Sequence, residues 1–336
     1  MYQQSLHVFK EDKIDFCAII SINHHGRGPS LGGCRLLEYA SIEDALDDAK
    51  RLSSAMSYKA AISNLPYDGG KAVIMKTKKI NNHPALLKKF ADCINTLEGK
   101  YITTVDSGTH QEDMIMLKKY TSFVTGFLDT PSDSTAWGVF KGIQAATKLR
   151  YNHTDLSGLH VAIQGVGNVG YRLAQLLYQS GSRLTVCDLN SQLAARCAND
   201  FDATIVSPDI IYDVPCDIFS PCALGRGINA KTLPRLKAKI IAGAANDQLE
   251  SSEYLHPDIL YIPDFLINAG GLIHLALQMQ GATKTDINIE VSRIYDRIIM
   301  LDAHAKERQV SLEKMARMSA EAILYGKSAT TLNNNT

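Results

Sequence analysis

The amino-acid sequence predicts an α/β protein of two domains, and three observations carry that expectation. The 336 residues fit about two domains of roughly 100–200 residues each. From Thr135 onward, short apolar runs alternate with helical patterns, which is how the buried strands of a parallel sheet read. Between one such run and the next helix stands the glycine turn Gly165-Val166-Gly167-Asn168-Val169-Gly170. The N-terminal third mixes strand and helix patterns of its own. The expected division is therefore an α/β domain over residues 1–135 and a Rossmann-type domain over 136–300, with a cleft between them. A helical segment, 301–336, is expected to return toward the first domain. The boundary falls in "LDTPSDST", where Pro, Ser and Asp concentrate.

In the first domain, "IDFCAIISINHH" alternates as a strand does, and "GRGPSLGG" reads as a loop of tight turns. Ser41 is expected to cap a helix with acidic Glu43 and Asp44 in its first turn. Ala45, Ala49, Leu52 and Met56 recur at three- to four-residue spacing and predict a buried stripe. That helix should run towards Met56, with Lys59 close to its C-terminal end. A short strand is expected from Lys71 through "AVIMK", then a helix over roughly Pro84 to Leu97, the strand "YITTVD" and the loop "SGTHQED".

In the second domain, "TAWGVFKGIQAATKLR" predicts a helix. "LHVAIQ", the glycine turn, "YRLAQLLYQ" and "RLTVCD" predict strand, turn, helix and strand in order. Later runs "ATIV", "CDIFSPC", "KIIAGAAN" and "LYIPD" read as further strands. In a dinucleotide-binding unit the first glycine permits the tight turn and the second lets backbone approach a pyrophosphate at the helix N-terminus. The third allows close helix–strand packing. Gly165, Gly167 and Gly170 occupy these positions. Asp188, at the end of the following strand, can accept from a ribose 2′-hydroxyl and would repel a 2′-phosphate, which favours NAD over NADP.

Composition narrows the partners. Lys+Arg and Asp+Glu number 35 each, for a formal net charge of +0. This gives no basic footprint for nucleic acid and no polybasic patch for a membrane, so the expected partner is a small molecule. The seven cysteines form no C-x-x-C pair, and the odd count suggests reduced thiols in a cytoplasmic protein. The first residues lack the pattern of a secretory signal, and no apolar run reaches the ~18 residues of a membrane helix. The histidines show no H-E-x-x-H spacing, so no metal is expected. Asn246, after the run "KIIAGAA", is placed to contact a cofactor. Cys222 has no assignable base beside it and reads as a packing thiol.

Several uncommon strings carry a resemblance over most of the chain. They are "GPSLGGCR", "MSYKAA", "GGKAVI", "DSGT", "VTG", "GVGNVG", "PCALG", "IAGAANDQL" and "PDFLINAGG". In this order they resemble the leucine/phenylalanine/valine dehydrogenase family, relatives of glutamate dehydrogenase, with the greatest similarity to the leucine branch and a shorter C-terminus. The resemblance implies NAD-dependent oxidative deamination of an L-amino acid, with a branched-chain substrate as the leading expectation, in a homo-oligomer. It implies that Lys59, helped by Asn268, holds the substrate carboxylate. It further implies Lys71 as general acid/base and Asp106 as partner of the amino group and proton shuttle. Gly33, Leu31, Thr104, Val291 and Ile294 match substrate-side positions, and for the last four an ordinary apolar core explains the residues equally well. Cys222, Ala223 and Thr135 match positions beside the dinucleotide. A lysine serves as a base near neutral pH only if its pKa falls from about 10.4 to roughly 7–8. Desolvation and a second nearby lysine charge both push in that direction.

The chain departs from the family pattern in three places. Asp68 stands where a third glycine is usual, Val105 where glutamate precedes the catalytic aspartate, and His110 where a small hydroxyl residue is commoner. A carboxylate facing Lys71 would oppose a base, so Asp68 is expected to face solvent or pair elsewhere. Two alternatives stay open on sequence alone: a dehydrogenase for phenylalanine or another L-amino acid, and a catalytically silent NAD-binding regulator.

Overall fold

The computed structural model describes residues 3–11, 15–76, 83–129, 131–223, 225–251, 255–256 and 258–326. The terminal run "TTLNNNT" lies outside them. The chain divides into two units, Met1–Thr130 with Ser319–Thr336, and Pro131–Met318.

The first unit holds a mixed five-stranded sheet in the order β1-β2-β4-β3-β5. Its strands are β1 (Gln3–Glu11), β2 (Phe16–His24), β3 (Ser30–Leu37), β4 (Asp68–Met75) and β5 (Tyr101–Val105). The strand expected in "IDFCAIISINHH" is β2. One face packs Ala18, Ile20, Ala72, Ile74 and Tyr101 against helices α2 (His83–Asn95) and α3 (Gln111–Leu117). The other face sets Ile19 and Val73 against Ala45 and Ala49 of helix α1 (Ile42–Ile62). Ser41 caps α1 as expected, its hydroxyl accepting from the Asp44 N–H at 3.1 Å.

Four local expectations need correction. Helix α1 runs six residues beyond Met56, and Met56 is only half-buried; Ser53 and Ser57 carry the buried face instead. "SLGG" belongs to strand β3, not a loop. A Cβ at Gly32 would stand 1.7 Å from the Gly70 carbonyl oxygen, so glycine is what lets β3 and β4 lie together. For the same reason β4 starts at Asp68 and passes through Gly69 and Gly70 before Lys71. Finally, Gln111-Glu-Asp is the first turn of α3, with His110 as its cap: the His110 N–H donates to Asp113 at 2.9 Å. Strand β1 was absent from the expected elements, because an edge strand rich in Gln, His and Lys has a weak apolar signal.

The second unit holds a six-stranded sheet, parallel at every pairing, in the order β11-β10-β9-β6-β7-β8. Its strands are β6 (His160–Gln164), β7 (Arg183–Cys187), β8 (Thr204–Ile205), β9 (Ile218–Pro221), β10 (Ile240–Ile241) and β11 (Leu260–Tyr261). Its helices are α4 (Ser132–Tyr151), α5 (Asn168–Gln179), α6 (Ser191–Phe201), α7 (Asp264–Ile267), α8 (Gly270–Met279), α9 (Lys284–Ser292) and α10 (Ile294–Glu307). Strand order reverses between β6 and β9, the switch point at which doubly wound sheets bind dinucleotides. Helix α11 (Leu312–Tyr325) carries the chain back to the first unit after Met318, later than the crossing expected near 301.

Candidate active site

Strand alternation assembles the first half of the site. Side chains two apart on a strand share a face, so Leu31, Gly33 and Arg35 of β3 face the same side as Thr104 and Asp106 at β5. Lys71 and Gly69 of β4 face that side too, because Lys71 Nζ lies 2.5 Å from Asp106 Oδ2 and Arg35 Nε lies 3.0 Å from the same oxygen. Lys71 is 4% exposed and Lys59, in the last turn of α1, is 7% exposed. Neither is a solvated surface charge.

The aspartate is held from several directions. Its backbone N–H donates to Thr109 Oγ1 at 2.9 Å, and that hydroxyl also meets the Cys34 carbonyl at 3.0 Å. A Cβ at Gly33 would stand 2.7 Å from Asp106 Cβ, so the glycine makes room for the carboxylate to lean across β3. Burial pushes the Asp106 pKa upward, but the charges of Lys71 and Arg35 outweigh it and hold the carboxyl well below the usual range. Arg35 is itself anchored, donating to Asp48 at 2.8 Å, which also accepts from Tyr39 at 2.7 Å. Arg35 is not among the expected site residues, although it ends the string "GPSLGGCR"; its spacing of two from Gly33 is the signal that places it.

Asp68 lies three residues from Lys71, an odd separation, and therefore faces the opposite side of β4. It is buried rather than solvent-facing, and it pairs elsewhere: Oδ2 accepts from the backbone N–H groups of His25 and Gly26 at 2.9 and 3.2 Å.

The second unit presents the dinucleotide elements. Gly165 has φ +90° and comes so near Ala223 that a Cβ would lie 2.8 Å from its nitrogen. At Gly170 a Cβ would lie 2.0 Å from the Gly165 carbonyl oxygen. Gly167, at the N-terminus of α5, has nothing within 4 Å of the place a Cβ would fill. That open position above free helix amides suits a pyrophosphate, with Asn168 and Val169 opening the helix. Asp188 is oriented by two backbone donors, Val166 N–H at 2.8 Å and Asn190 N–H at 2.9 Å. Beside it, Leu189 is 94% exposed, an apolar surface not among the expected site residues. Cys222 stands at the switch point, its N–H donating to the Gln164 carbonyl at 2.7 Å, and burial pushes its thiol pKa up. This fits a packing thiol and not a nucleophile. Thr135 donates to the Pro131 carbonyl at 2.9 Å near the start of α4.

Three further residues sit in the second unit. Asn268 Nδ2 meets the Ala244 and Ala245 carbonyls and Asn246 Oδ1, at 3.1, 3.1 and 3.0 Å. Three acceptors fix the amide orientation, and Oδ1 is left buried without a hydrogen-bond partner. The free atom is thus an acceptor, whereas the expected carboxylate contact calls for a donor. Val291 and Ile294 are fully buried against Gly138 of α4, where a Cβ would stand 3.4 and 2.7 Å from them. Among the described residues, no cluster of three or more His, Cys, Asp or Glu could hold a metal, and no helix is long and apolar enough to cross a membrane.

Comparison with known proteins matches the first unit to the Glu/Leu/Phe/Val dehydrogenase dimerisation domain over residues 4–123. Residues 188–326 match Glutamate/Leucine/Phenylalanine/Valine dehydrogenase. The chain belongs to this family. It is 41% identical to leucine dehydrogenase of Geobacillus stearothermophilus, covering 96% of this chain and 90% of that protein. It is 39% identical to phenylalanine dehydrogenase of Bacillus thermotolerans, covering 84% and 78%. The crystal structure of L-tryptophan dehydrogenase from Nostoc punctiforme superposes with a TM-score of 0.78 at 38% identity, covering 97% of this chain and 96% of that one. Amino-acid dehydrogenase function with a nicotinamide cofactor comes with membership of the family.

Proposed function

We propose that this dehydrogenase uses NAD to oxidise a branched-chain L-amino acid to its 2-oxo acid and ammonia, reversibly. The observation that supports it best is the ion pair of buried Lys71 with partly buried Asp106 in a chain that also carries a complete dinucleotide turn. A bound nicotinamide would supply the acceptor for the hydride that leaves the substrate α-carbon. Lys59 holds the substrate carboxylate, and Asp106 receives the amino group through the carboxylate edge that the two cations leave. Lys71 takes a proton from the water that attacks the resulting imine carbon, then returns one as ammonia leaves. Asn268, through Oδ1, accepts from an N–H donor of substrate or cofactor. Gly165, Gly167, Asn168, Val169 and Gly170 receive the pyrophosphate, with Ala223, Cys222, Asn246 and Thr135 beside the dinucleotide, and Asp188 selects the unphosphorylated ribose. Leu31 offers an apolar wall that suits an aliphatic side chain, whereas Val291 and Ile294 are taken up by packing against Gly138 within the second unit. The silent-regulator alternative draws on Asp68 and Val105, and of these Asp68 faces away from Lys71 and does not argue for it. An aromatic substrate is the second reading, favoured by the similar identity to the phenylalanine and tryptophan enzymes.

All seven cysteines are free, which fits a reducing cytoplasm. Assembly as a homo-oligomer through the first unit agrees with the name of its family model. The test is nicotinamide reduction, followed by absorbance, across leucine, valine, isoleucine, phenylalanine and tryptophan with NAD and with NADP. A branched-chain substrate and NAD should prevail, and Lys71→Ala should lower turnover by about 10²–10⁴-fold, the usual worth of a positioned acid/base. Inactivity on every member with NAD still bound would overturn the reading, and preference for NADP would overturn the role of Asp188.

A further inference from the structure

Thr104 Oγ1 is buried and makes no hydrogen bond, and the residue is 4% exposed. Leaving a buried hydroxyl unpaired costs about 1–3 kcal/mol. Nearby threonines avoid that cost: Thr103 Oγ1 on the same strand accepts from Tyr101 Oη at 3.2 Å, and Thr109, beyond the strand's end, is bonded as described above. The position of Thr104 gives the exception a meaning. The register pairs Gly33 with Thr104, and pairs Leu31 with Gly69 and Cys34 with Ala72, which sets Gly33 level with Lys71. One row across β4, β3 and β5 therefore reads Lys71, Gly33, Thr104, with no side chain in the middle. Strands lie about 4.8 Å apart, so Thr104 is about 10 Å from Lys71 at the backbone, and the next residue on its face is Asp106.

We propose that Thr104 recognises a hydroxyl on the substrate side chain, so that the preferred substrates include aliphatic L-amino acids bearing a side-chain hydroxyl. The inference rests on the deamination reading above and extends its substrate class from branched hydrocarbon side chains to hydroxylated ones. An amino acid held by Lys59 and Asp106 extends its side chain over the glycine toward β5. There it meets Leu31, fully buried and apolar, and the Thr104 hydroxyl, which can both donate and accept. A purely hydrocarbon side chain would leave that hydroxyl unmatched.

Threonine and valine are near-isosteric, as are homoserine and norvaline, and each pair exchanges a hydroxyl for a methyl. The experiment compares kcat/KM within both pairs for the wild type, Thr104→Val and Thr104→Ser. In at least one pair the wild type should favour the hydroxylated member relative to Thr104→Val by about 10-fold or more. Thr104→Ser, which keeps the hydroxyl, should hold most of that preference. Equal ratios in wild type and Thr104→Val would mean that water satisfies the hydroxyl, and would overturn the inference while leaving the dehydrogenase reading intact. No oxidation of any amino acid by the wild type would overturn both.

Discussion

Arg35 and Lys71 meet one oxygen of Asp106, and this sharing separates their tasks. A base that gives up its proton stops neutralising its carboxylate partner, and a buried carboxylate left alone is strongly disfavoured. Arg35 stays charged throughout, so Asp106 remains compensated while Lys71 changes state. Because the Asp106 pKa is depressed in the fold, its ionic contribution to stability is complete above the unfolded value of about 3.9. That contribution is lost only as pH falls below this, through the folded value. Wild-type kcat/KM should accordingly show no acid limb from Asp106 above about pH 4. Arg35→Met should bring such a limb upward by about 1–3 pH units, whereas Arg35→Lys restores most of the original profile. Asp48 keeps Tyr39 and Arg51 as partners in either variant. A pH–rate profile that does not move would show that Lys71 alone keeps Asp106 ionised. Asp68 teaches the complementary lesson. Its even-or-odd distance from Lys71 was readable in the sequence, but only once β4 was known to begin before the two glycines.

That strand explains where the sequence was legible and where it was not. Gly-Gly pairs ordinarily mark turns, and at 32–33 and 69–70 they mark close packing inside a sheet. A Cβ at Gly69 would fall 2.2 Å from both the Ser53 carbonyl oxygen and the Ser57 N–H nitrogen, and Ser57 Oγ accepts from the Gly69 N–H at 3.1 Å. Helix α1 thus lies directly on β4, and this contact sets the height of the last turn that carries Lys59. Gly69→Ala should push α1 away, lowering stability by about 1–3 kcal/mol as overpacked cores do, with a rise in substrate KM. Thermal unfolding and kinetics together check this; an unchanged Tm would mean that α1 can yield without loss. The central parallel strands of the second unit were legible because both faces are buried and each reads as a short apolar run. Strand β3 and the start of α3 were not, because backbone proximity and a histidine cap leave little mark on composition.

At the scale of the whole molecule, the chain assigns its last helix to two units, and that division has a consequence for catalysis. Residues of α11 before Ser319 belong with the dinucleotide unit, and those after it belong with the first unit. There Tyr58 Oη donates to Glu321 at 2.7 Å, and Tyr325 packs edge-on against His25 at 5.4 Å between ring centroids. Tyr58 immediately precedes Lys59, and His25 lies in the turn that Asp68 holds. The end of α11 therefore braces the same part of the first unit that presents the carboxylate-binding lysine. A hydrogen bond to a charged partner is worth about 1.5–3 kcal/mol, and Glu321→Gln removes the charge while keeping the shape. Substrate KM should rise by about 10-fold, while NAD affinity, measured by titration of the second unit's site, stays as in the wild type. Tyr58→Phe should reproduce the effect, and the double variant should add little, because both changes remove one contact. If NAD affinity falls in step with substrate affinity, the brace is global and Glu321 supports the fold as a whole instead of the lysine beside Tyr58.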